Sequence, residues 1–251
     1  MTIKSLLTVC AVAAAVTGVR AQTVPFLDTA KPDHFIEIDV HAGDGASTIT
    51  QNYSSAVPSV QDFVLTPGNR LIFGAGAILP VRNYFAIGTR LDIAINNYYW
   101  SMTIMDRNQG TLNTLYSRNR YTAAEVPVFM QLRCNLGSSV VWRSELGAYI
   151  SFGLGGHSRY SEASSSTNSL GQSQVTETQY KNDYYDDSEP VINTFRKTDW
   201  GLHLGTGILA GRHFTLNVVM HAGARNLAKN LGVLDIRART LNVTFTAGYQ
   251  F

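Results

Sequence analysis

The last twelve residues of the chain, TLNVTFTAGYQF from Thr240 to Phe251, alternate between apolar side chains and polar or small ones. Leu241, Val243 and Phe245 share one face of this pattern, while threonine, asparagine, glycine and glutamine occupy the other. A period of two predicts a β-strand whose two faces meet different surroundings. The fold class follows from how often this pattern recurs.

The same alternation recurs about eight times, in segments of about 9–11 residues, which is the length that a tilted strand needs to cross a bilayer. The second face is rich in Gly, Ser, Thr, Asn and Gln and carries almost no Lys. Small polar side chains suit the crowded interior of a narrow barrel better than the wetted face of a soluble sheet. The sequence therefore predicts an all-β fold, a single antiparallel up-and-down transmembrane β-barrel over residues 34–251.

The connections between these segments alternate in length along the chain. The short ones are Val81–Asn83, Gly137–Ser139 and Gly211–Arg212, and the long ones are Asp44–Asn69, Asn97–Ala123, Gly156–Lys197 and Arg225–Ile236. Outer-membrane barrels show this asymmetry, with short periplasmic turns and long extracellular loops. With about eight strands, both ends of the barrel domain are expected on the periplasmic side.

The first 21 residues have the features of a signal peptide: Lys4, an apolar run over Leu6–Val16, and small residues before a predicted cleavage after Ala21. Residues 22–33 are then predicted to be an N-terminal periplasmic segment. The exported chain keeps one cysteine, Cys134, which excludes an intrachain disulfide and a cysteine metal cluster. A net charge of +2 argues against a strongly basic nucleic-acid binder.

Four stretches resemble a known family: Phe35–Ile38, Ala124–Val128, Trp200–Gly207 and the terminal Tyr249–Phe251. Together they are similar to the eight-stranded outer-membrane barrels of Bacteroidetes-type bacteria, called PorT-like, and to OmpA-like barrels. The resemblance implies insertion in the outer membrane but no shared activity, although some relatives are linked to protein secretion. Tyr249 and Phe251 also resemble the C-terminal signal that the barrel-assembly machinery reads.

The alternation places charged side chains inside the predicted barrel, with a further one, Glu125, near its mouth. The interior set is Glu37, Asp39, Arg90, Asp92, Arg133, Arg143 and Glu145. Buried charges must be paired or hydrated. They could form salt bridges that seal and stiffen the barrel, or line a narrow conduit for ions or solutes. Because eight strands leave little width, salt bridges are the expected arrangement.

Three histidines, His41, His203 and His221, also point inward by this alternation. Three imidazoles could ligate zinc, but these lie on separate strands at no motif spacing, so interior hydrogen bonding is expected. Catalysis by a histidine and a serine on one lipid-facing side is not indicated, because His157 and Ser158 are adjacent and point to opposite faces. The sequence predicts no enzyme activity, no cofactor and no metal site.

Aromatic residues near the predicted strand ends are typical of membrane-interface girdles. They are Phe35, Tyr84, Trp142, Trp200, Phe214 and Tyr249. The stretch Asn97–Trp100 could belong to a girdle, pack against a loop or form a binding surface, and a girdle is the simplest choice. The third long loop, Ser158–Lys197, contains carboxylates that could bind calcium and tyrosines that favour a contact surface, but its polar composition favours a mobile, solvated loop.

The predicted function is a non-enzymatic outer-membrane barrel with a structural or surface-binding role through its extracellular loops. The alternatives are a narrow conduit or secretion accessory that uses the charged interior, and a soluble periplasmic ligand-binding barrel. The expected partners are outer-membrane lipid, the barrel-assembly machinery and an extracellular ligand or protein, and nucleic acid is not among them.

Overall fold

The computed structural model describes residues 25–33, 35–52, 60–106, 111–167, 173–185, 195–229 and 237–251. These ranges contain nine strands, β1 Glu37–Asn52, β2 Val60–Arg82, β3 Phe85–Asp106, β4 Thr111–Asn135, β5 Val140–Thr167, β6 Ser173–Asp183, β7 Thr198–Ala210, β8 Phe214–Gly223 and β9 Arg237–Gln250. Within them, no helix is long and apolar enough to cross a membrane. The predicted signal peptide lies outside the described residues.

Eight of the strands close into a ring. Every neighbouring pair is antiparallel, β1 pairs with β9 to complete the circle, and β5 pairs with both β4 and β7. The ninth strand, β6, pairs with the far part of β5 and lies outside the ring. The predicted up-and-down barrel of about eight strands is confirmed.

The two faces of the wall differ as the alternation predicts. The exterior carries exposed apolar side chains, among them Leu71, Phe73, Leu91, Val128, Met130, Leu146, Phe152, Leu202, Leu216 and Phe245. Most interior side chains are polar or small, and the larger apolar ones, such as Ile78 and Phe129, are buried. Soluble proteins rarely expose so continuous an apolar surface. The exterior therefore forms an apolar band around the barrel.

One end of the barrel, the short-turn end, has only tight connections. Asn83 and Tyr84 join β2 to β3, residues 136–139 join β4 to β5, and residues 211–213 join β7 to β8. In the last of these, Gly211 and Arg212 have φ angles of 60° and 74°. Two successive positive φ angles characterise the type I′ turn, whose twist matches that of the strands it joins. The predicted short connections are confirmed.

The opposite end, the extended end, differs from the sequence prediction. Much of the predicted loop sequence is strand: β1 and β2 are separated by seven residues, β3 and β4 by four, and β5 and β6 by five. The loop boundaries at Asp44, Asn69, Asn97, Ala123 and Gly156 were therefore wrong. The alternation continues through these stretches with mostly polar outward side chains, so a search for apolar faces ends the strands too early.

Five neighbouring strands, β2 to β6, continue past the apolar band as an extended sheet. An extra residue in β5, Leu154, interrupts its register with β4 between Thr122 and Ala123. This β-bulge changes which residues of β5 point outward. Beyond it, His157 and Arg159 lie opposite Arg120 and Arg118, which face outward on β4.

The N-terminal segment lies across the short-turn end. The backbone N–H of Asn135 donates to the Phe26 carbonyl at 2.9 Å, and that of Asn83 donates to the Ala30 carbonyl at 3.2 Å. The Asn83 side chain donates to Asp28 at 2.7 Å. The Ala30 backbone N–H, and secondarily Asn83, lower the pKa of the Asp28 carboxyl. These bonds tie the segment to two turns of the barrel.

The closing seam between β1 and β9 predicts a sensitive position. A β-carbon on Gly43 would collide with the Phe245 carbonyl of β9. We expect Gly43→Val to force β9 away and lower stability by about 1–3 kcal/mol. The measurement is the temperature at which the folded band is lost in gels of heated and unheated protein. Ala42→Val, on the exposed exterior next to it, should behave as wild type, and equal behaviour of the two variants would contradict the prediction.

Candidate functional site

The barrel interior holds a continuous ion network, which begins near the short-turn end. Arg133 donates from both terminal nitrogens to Glu37, at 2.8 and 2.5 Å, and its Nε donates to Gln131 at 2.7 Å. Gln131 in turn donates to Glu145 at 2.9 Å. Two planar groups facing each other in this way form a bidentate pair, which fixes orientation as well as charge.

The next layer pairs Arg90 with Glu145. The guanidinium donates to the two carboxylate oxygens at 2.7 and 2.6 Å, and its Nε lies 3.5 Å from Asp39. His41 lies between two carboxylates, with Nδ1 3.0 Å from Asp39 and Nε2 3.0 Å from Asp92. His41 therefore joins Asp39 of its own strand to Asp92 of β3.

Two histidines connect this layer to the next. His203 Nδ1 lies 2.8 Å from His221 Nε2, His203 Nε2 lies 3.2 Å from Glu145, and His221 Nδ1 lies 2.9 Å from Glu125. The two rings thus form a continuous chain of polar contacts from Glu145 to Glu125.

Arg70 completes the network and was missed by the sequence analysis. It donates to both oxygens of Glu125, at 3.0 and 2.6 Å, to Asn96 at 2.6 Å and to Thr244 at 2.9 Å. The first long loop was predicted to end at Asn69, so Arg70 fell at the boundary between loop and strand. Extending the alternation by one residue would have placed it inside. Glu125, expected near the mouth, lies at the centre of the network.

Most charged groups of the network are paired. Arg70, Arg90 and Arg133 each hold a carboxylate, and His41 lies between two. Arg143 has no carboxylate within ion-pair distance among the described residues. It donates to the side-chain oxygens of Gln250 at 2.8 Å and Asn217 at 3.2 Å. The pairs provide the compensation that buried charge requires.

An aromatic plug lies above the network at the extended end. It consists of Tyr98, Tyr121, Tyr184, Tyr185 and Phe195, all buried. The Tyr121 and Tyr184 rings stack at 4.8 Å, and Tyr184 stacks on Phe195 at 4.7 Å. A cavity of about 20 Å³ lies between plug and network, which is room for about one water molecule.

Two sequence expectations are corrected by the plug. Tyr98 and Trp100 were assigned to a membrane girdle, but both are buried on the inner face of β3. The third long loop was expected to be mobile and solvated, yet its residues form β6 and supply Tyr184 and Tyr185 to the plug. Its carboxylates Asp186, Asp187 and Glu189 lie outside the described residues. Among described residues, no cluster of three or more His, Cys, Asp or Glu side chains could hold a metal ion.

The aromatic residues assigned to the membrane interface lie on the outer wall or at its ends. Phe35, Trp200 and Phe214 are exposed, and the indole nitrogen of Trp142 donates to Thr206 at 3.0 Å. At the short-turn end, Tyr249 contacts His213, Phe214 and Phe251, with ring centroids 5.0, 5.6 and 4.9 Å away. Tyr84 lies next to Phe85 at 6.5 Å. Their role as interface anchors stays a prediction.

The exterior of the extended sheet has an abrupt polar boundary. Where the apolar band ends, one row of cross-strand neighbours reads Asn97, Arg120, His157 and Asp183, on β3 to β6. The next row outward reads Tyr99, Arg118, Arg159 and Lys181. The last three residues of this second row form a cation row across three strands, and all three are exposed.

A family model described as "Outer membrane protein beta-barrel domain" matches residues 21–228. The chain belongs to this family. It is an outer-membrane barrel, and its exterior apolar band is the surface that faces lipid. With the short turns on the periplasmic side, the extended end faces the cell exterior. No curated protein matches the chain.

Solved structures of small outer-membrane barrels are similar to it in fold. Ail of Yersinia pestis, in complex with the heparin analogue sucrose octasulfate, is 11% identical over 87% of this chain and 100% of its own, with a TM-score of 0.37. OprG of Pseudomonas aeruginosa is 10% identical over 91% and 99% of the two chains, with a TM-score of 0.39. Neisserial surface protein A is 11% identical over 87% and 98%, with a TM-score of 0.34. These identities are too low to transfer a ligand or an activity.

The ion network predicts a strong and partner-dependent loss of stability. Arg70→Met leaves Glu125 buried without its bidentate partner, and we expect a loss of about 3–5 kcal/mol. Arg70→Met combined with Glu125→Gln removes both charges and should recover most of that loss, because the amide can still accept from His221. Guanidinium unfolding in lipid vesicles, followed by tryptophan fluorescence, measures both. Additive losses in the double variant would show that the two groups are not coupled.

Proposed function

We propose that this chain is a non-enzymatic outer-membrane barrel that binds an external partner through the outer part of its extended sheet. The barrel wall serves as a rigid support for that sheet. The proposed recognition segment is the hairpin formed by β5 and β6 beyond the cation row, residues 160–180.

The observation that carries this proposal is the length of the hairpin. Residues 157–167 of β5 pair in unbroken register with residues 173–183 of β6. A barrel needs only about 9–11 residues per strand to cross the membrane, and β5 has 28. The part beyond the band spans about 40 Å along the strand at about 3.3 Å per residue. The barrel does not need this sheet to cross the membrane, but it does need it to present a surface away from the membrane.

The interior supports a binding role rather than a conduit. Two successive layers, the ion network and the aromatic plug, fill the lumen, and their charges are compensated within the barrel. An ion crossing this path would have to displace bidentate pairs such as Arg90–Glu145, whose separation leaves two uncompensated buried charges. A narrow conduit therefore has a high barrier at its centre.

The remaining expectations belong to the same proposal. The outer-membrane lipid and the barrel-assembly machinery are the partners that any such barrel requires, and the external ligand or protein would be met by the hairpin. No cofactor and no nucleic acid is needed. The finer PorT-like assignment, with a part in secretion, stays a prediction.

Conductance separates the binding role from the conduit. Purified protein inserted in planar lipid bilayers should give no stepwise conductance, because the interior is filled. Stepwise conductance of the wild type that is lost, or that changes its ion selectivity, in an Arg90→Met variant would contradict the proposal and favour the conduit.

The binding role itself is tested by removing the hairpin without disturbing the barrel. Replacing residues 161–179 by Asn-Gly joins Tyr160 directly to Tyr180, which already stack at 5.0 Å, through a favoured two-residue turn. Cells displaying the wild type should adhere to one or more of heparin, collagen, fibronectin and other bacterial cells above vector controls, and the shortened variant should lose that adhesion. Unchanged adhesion in a folded shortened variant would rule out the hairpin as the recognition segment.

A further inference from the structure

The cation row has an unusual arrangement for neighbouring strands. Arg118 on β4 lies directly opposite Arg159 on β5, which lies directly opposite Lys181 on β6. All three side chains are exposed. Directly opposite residues have β-carbons about 4.5–5.5 Å apart, and like charges at that distance are destabilising. One row inward, Arg120 and His157 are again direct neighbours.

The protein does not neutralise this face itself. Among described residues, no carboxylate lies within ion-pair distance of Arg118, Arg120, Arg159 or Lys181; the ion pairs of the structure lie in the barrel interior. Asp183 is the nearest acid in register, opposite His157, and its carboxylate accepts from the Tyr185 backbone N–H at 2.8 Å. The positive charge is therefore left for a ligand.

Two features arrange the cations for binding. Arg118 is held over the Tyr99 ring, with its guanidinium carbon 5.4 Å from the ring centroid and Nη2 3.4 Å from the tyrosine oxygen. The β-bulge at Leu154 brings Arg159 onto the outer face beside it. The positive charges of the cluster also act on His157. Partial burial, followed by Lys181, Arg159 and Arg120, lowers the pKa of this histidine.

The height of the cluster on the wall indicates the ligand. The exterior of β4 carries Val128, Met130 and Leu132 in the apolar band, continues through Ala124 and Thr122, and then presents Arg120 and Arg118. On β5 the exposed Phe152 and Leu154 are followed by His157 and Arg159. The cations thus begin where hydrocarbon gives way to headgroups, which is the level of lipid phosphates. A soluble polyanion would not require this position.

We propose that Arg118, Arg120, Arg159 and Lys181 form a binding site for the phosphate groups of an anionic glycolipid in the outer leaflet. Arginine presents parallel N–H donors that match phosphate oxygens, and Arg118 and Arg159 supply two such groups side by side. The acyl chains of the lipid lie against the apolar exterior of β4 and β5. The site is separate from the hairpin proposed for external recognition and does not depend on it.

Binding of fluorescent lipid A to the full-length mature barrel in detergent micelles tests this site by fluorescence anisotropy. The probes are lipid A with two phosphates, with one phosphate and with none. We expect affinity to fall in that order, and Arg118→Gln/Arg159→Gln to weaken binding of the two-phosphate form about tenfold, which is the order expected for two partly exposed charged contacts. Arg118→Lys/Arg159→Lys keeps the charge but loses the parallel donors, so its affinity should lie between those of the wild type and the glutamine variant. The outward side chains change without altering the interior, so each variant should keep the heat-modifiable band of a folded barrel.

The matched control is Lys31→Gln/Arg82→Gln, which removes the same charge at the short-turn end and should bind as wild type. Equal binding of phosphorylated and phosphate-free lipid A would overturn the proposal, as would wild-type affinity in the Arg118→Gln/Arg159→Gln variant. Displacement by soluble heparin together with indifference to lipid phosphates would assign the site to a soluble polyanion instead. None of these variants changes residues 161–179, so the result of the hairpin adhesion assay does not depend on the result of the lipid-binding assay.

Discussion

The structure depends on charge compensation inside a closed wall. Arg70–Glu125 and Arg90–Glu145 are two bidentate pairs, and a chain of contacts through His203 and His221 joins them. In a lumen this narrow, most ionised groups find their partner on another strand, so the pairs also fix the register of the wall. Pairs between β2 and β4, and between β3 and β5, cross the lumen and oppose slippage of any one strand. Gln131–Glu145, Arg70–Asn96 and His203–His221 join neighbouring strands of the ring directly.

Much of this arrangement could be predicted from the sequence because the side-chain period of a strand is fixed at two. That period separates the exterior from the interior, and it places Asp39, Arg90, Glu145 and the three histidines on one side of the wall. Which groups pair cannot be read from it, because pairing depends on the register of strands far apart in the chain. Arg133–Glu37, 96 positions apart, is an example.

The sequence analysis went wrong where a strand leaves the membrane. Beyond the band the outward side chains become polar, so Arg118, Arg159 and Ser161 no longer mark a face by hydrophobicity. The bulge at Leu154 adds a second difficulty, because it shifts the alternation by one residue in mid-strand. On the inner face of the wall, Tyr98 and Trp100 were misassigned for the same reason. Aromatic side chains near a predicted strand end suggested a girdle, yet the strand continues and both rings lie inside.

The two ends of the barrel thus have different physical tasks. The short-turn end is closed by tight turns and by the N-terminal segment, while the interior network and the plug make the wall rigid. The exterior of the extended end is the part that we propose for binding, to phosphate groups at the level of the headgroups and, farther out, to an external partner.

The chain of contacts through His203 and His221 provides the most direct test, because it joins the two bidentate pairs at the centre of the barrel. Nitrogen NMR of the barrel in nanodiscs, with ¹⁵N-labelled histidine and assignment by single His→Gln variants, detects a hydrogen bond between two imidazoles as a coupling between their ring nitrogens. We predict such a coupling between His203 and His221 and its loss in His203→Gln. A folded barrel in which the two rings show no coupling would contradict this arrangement of the interior.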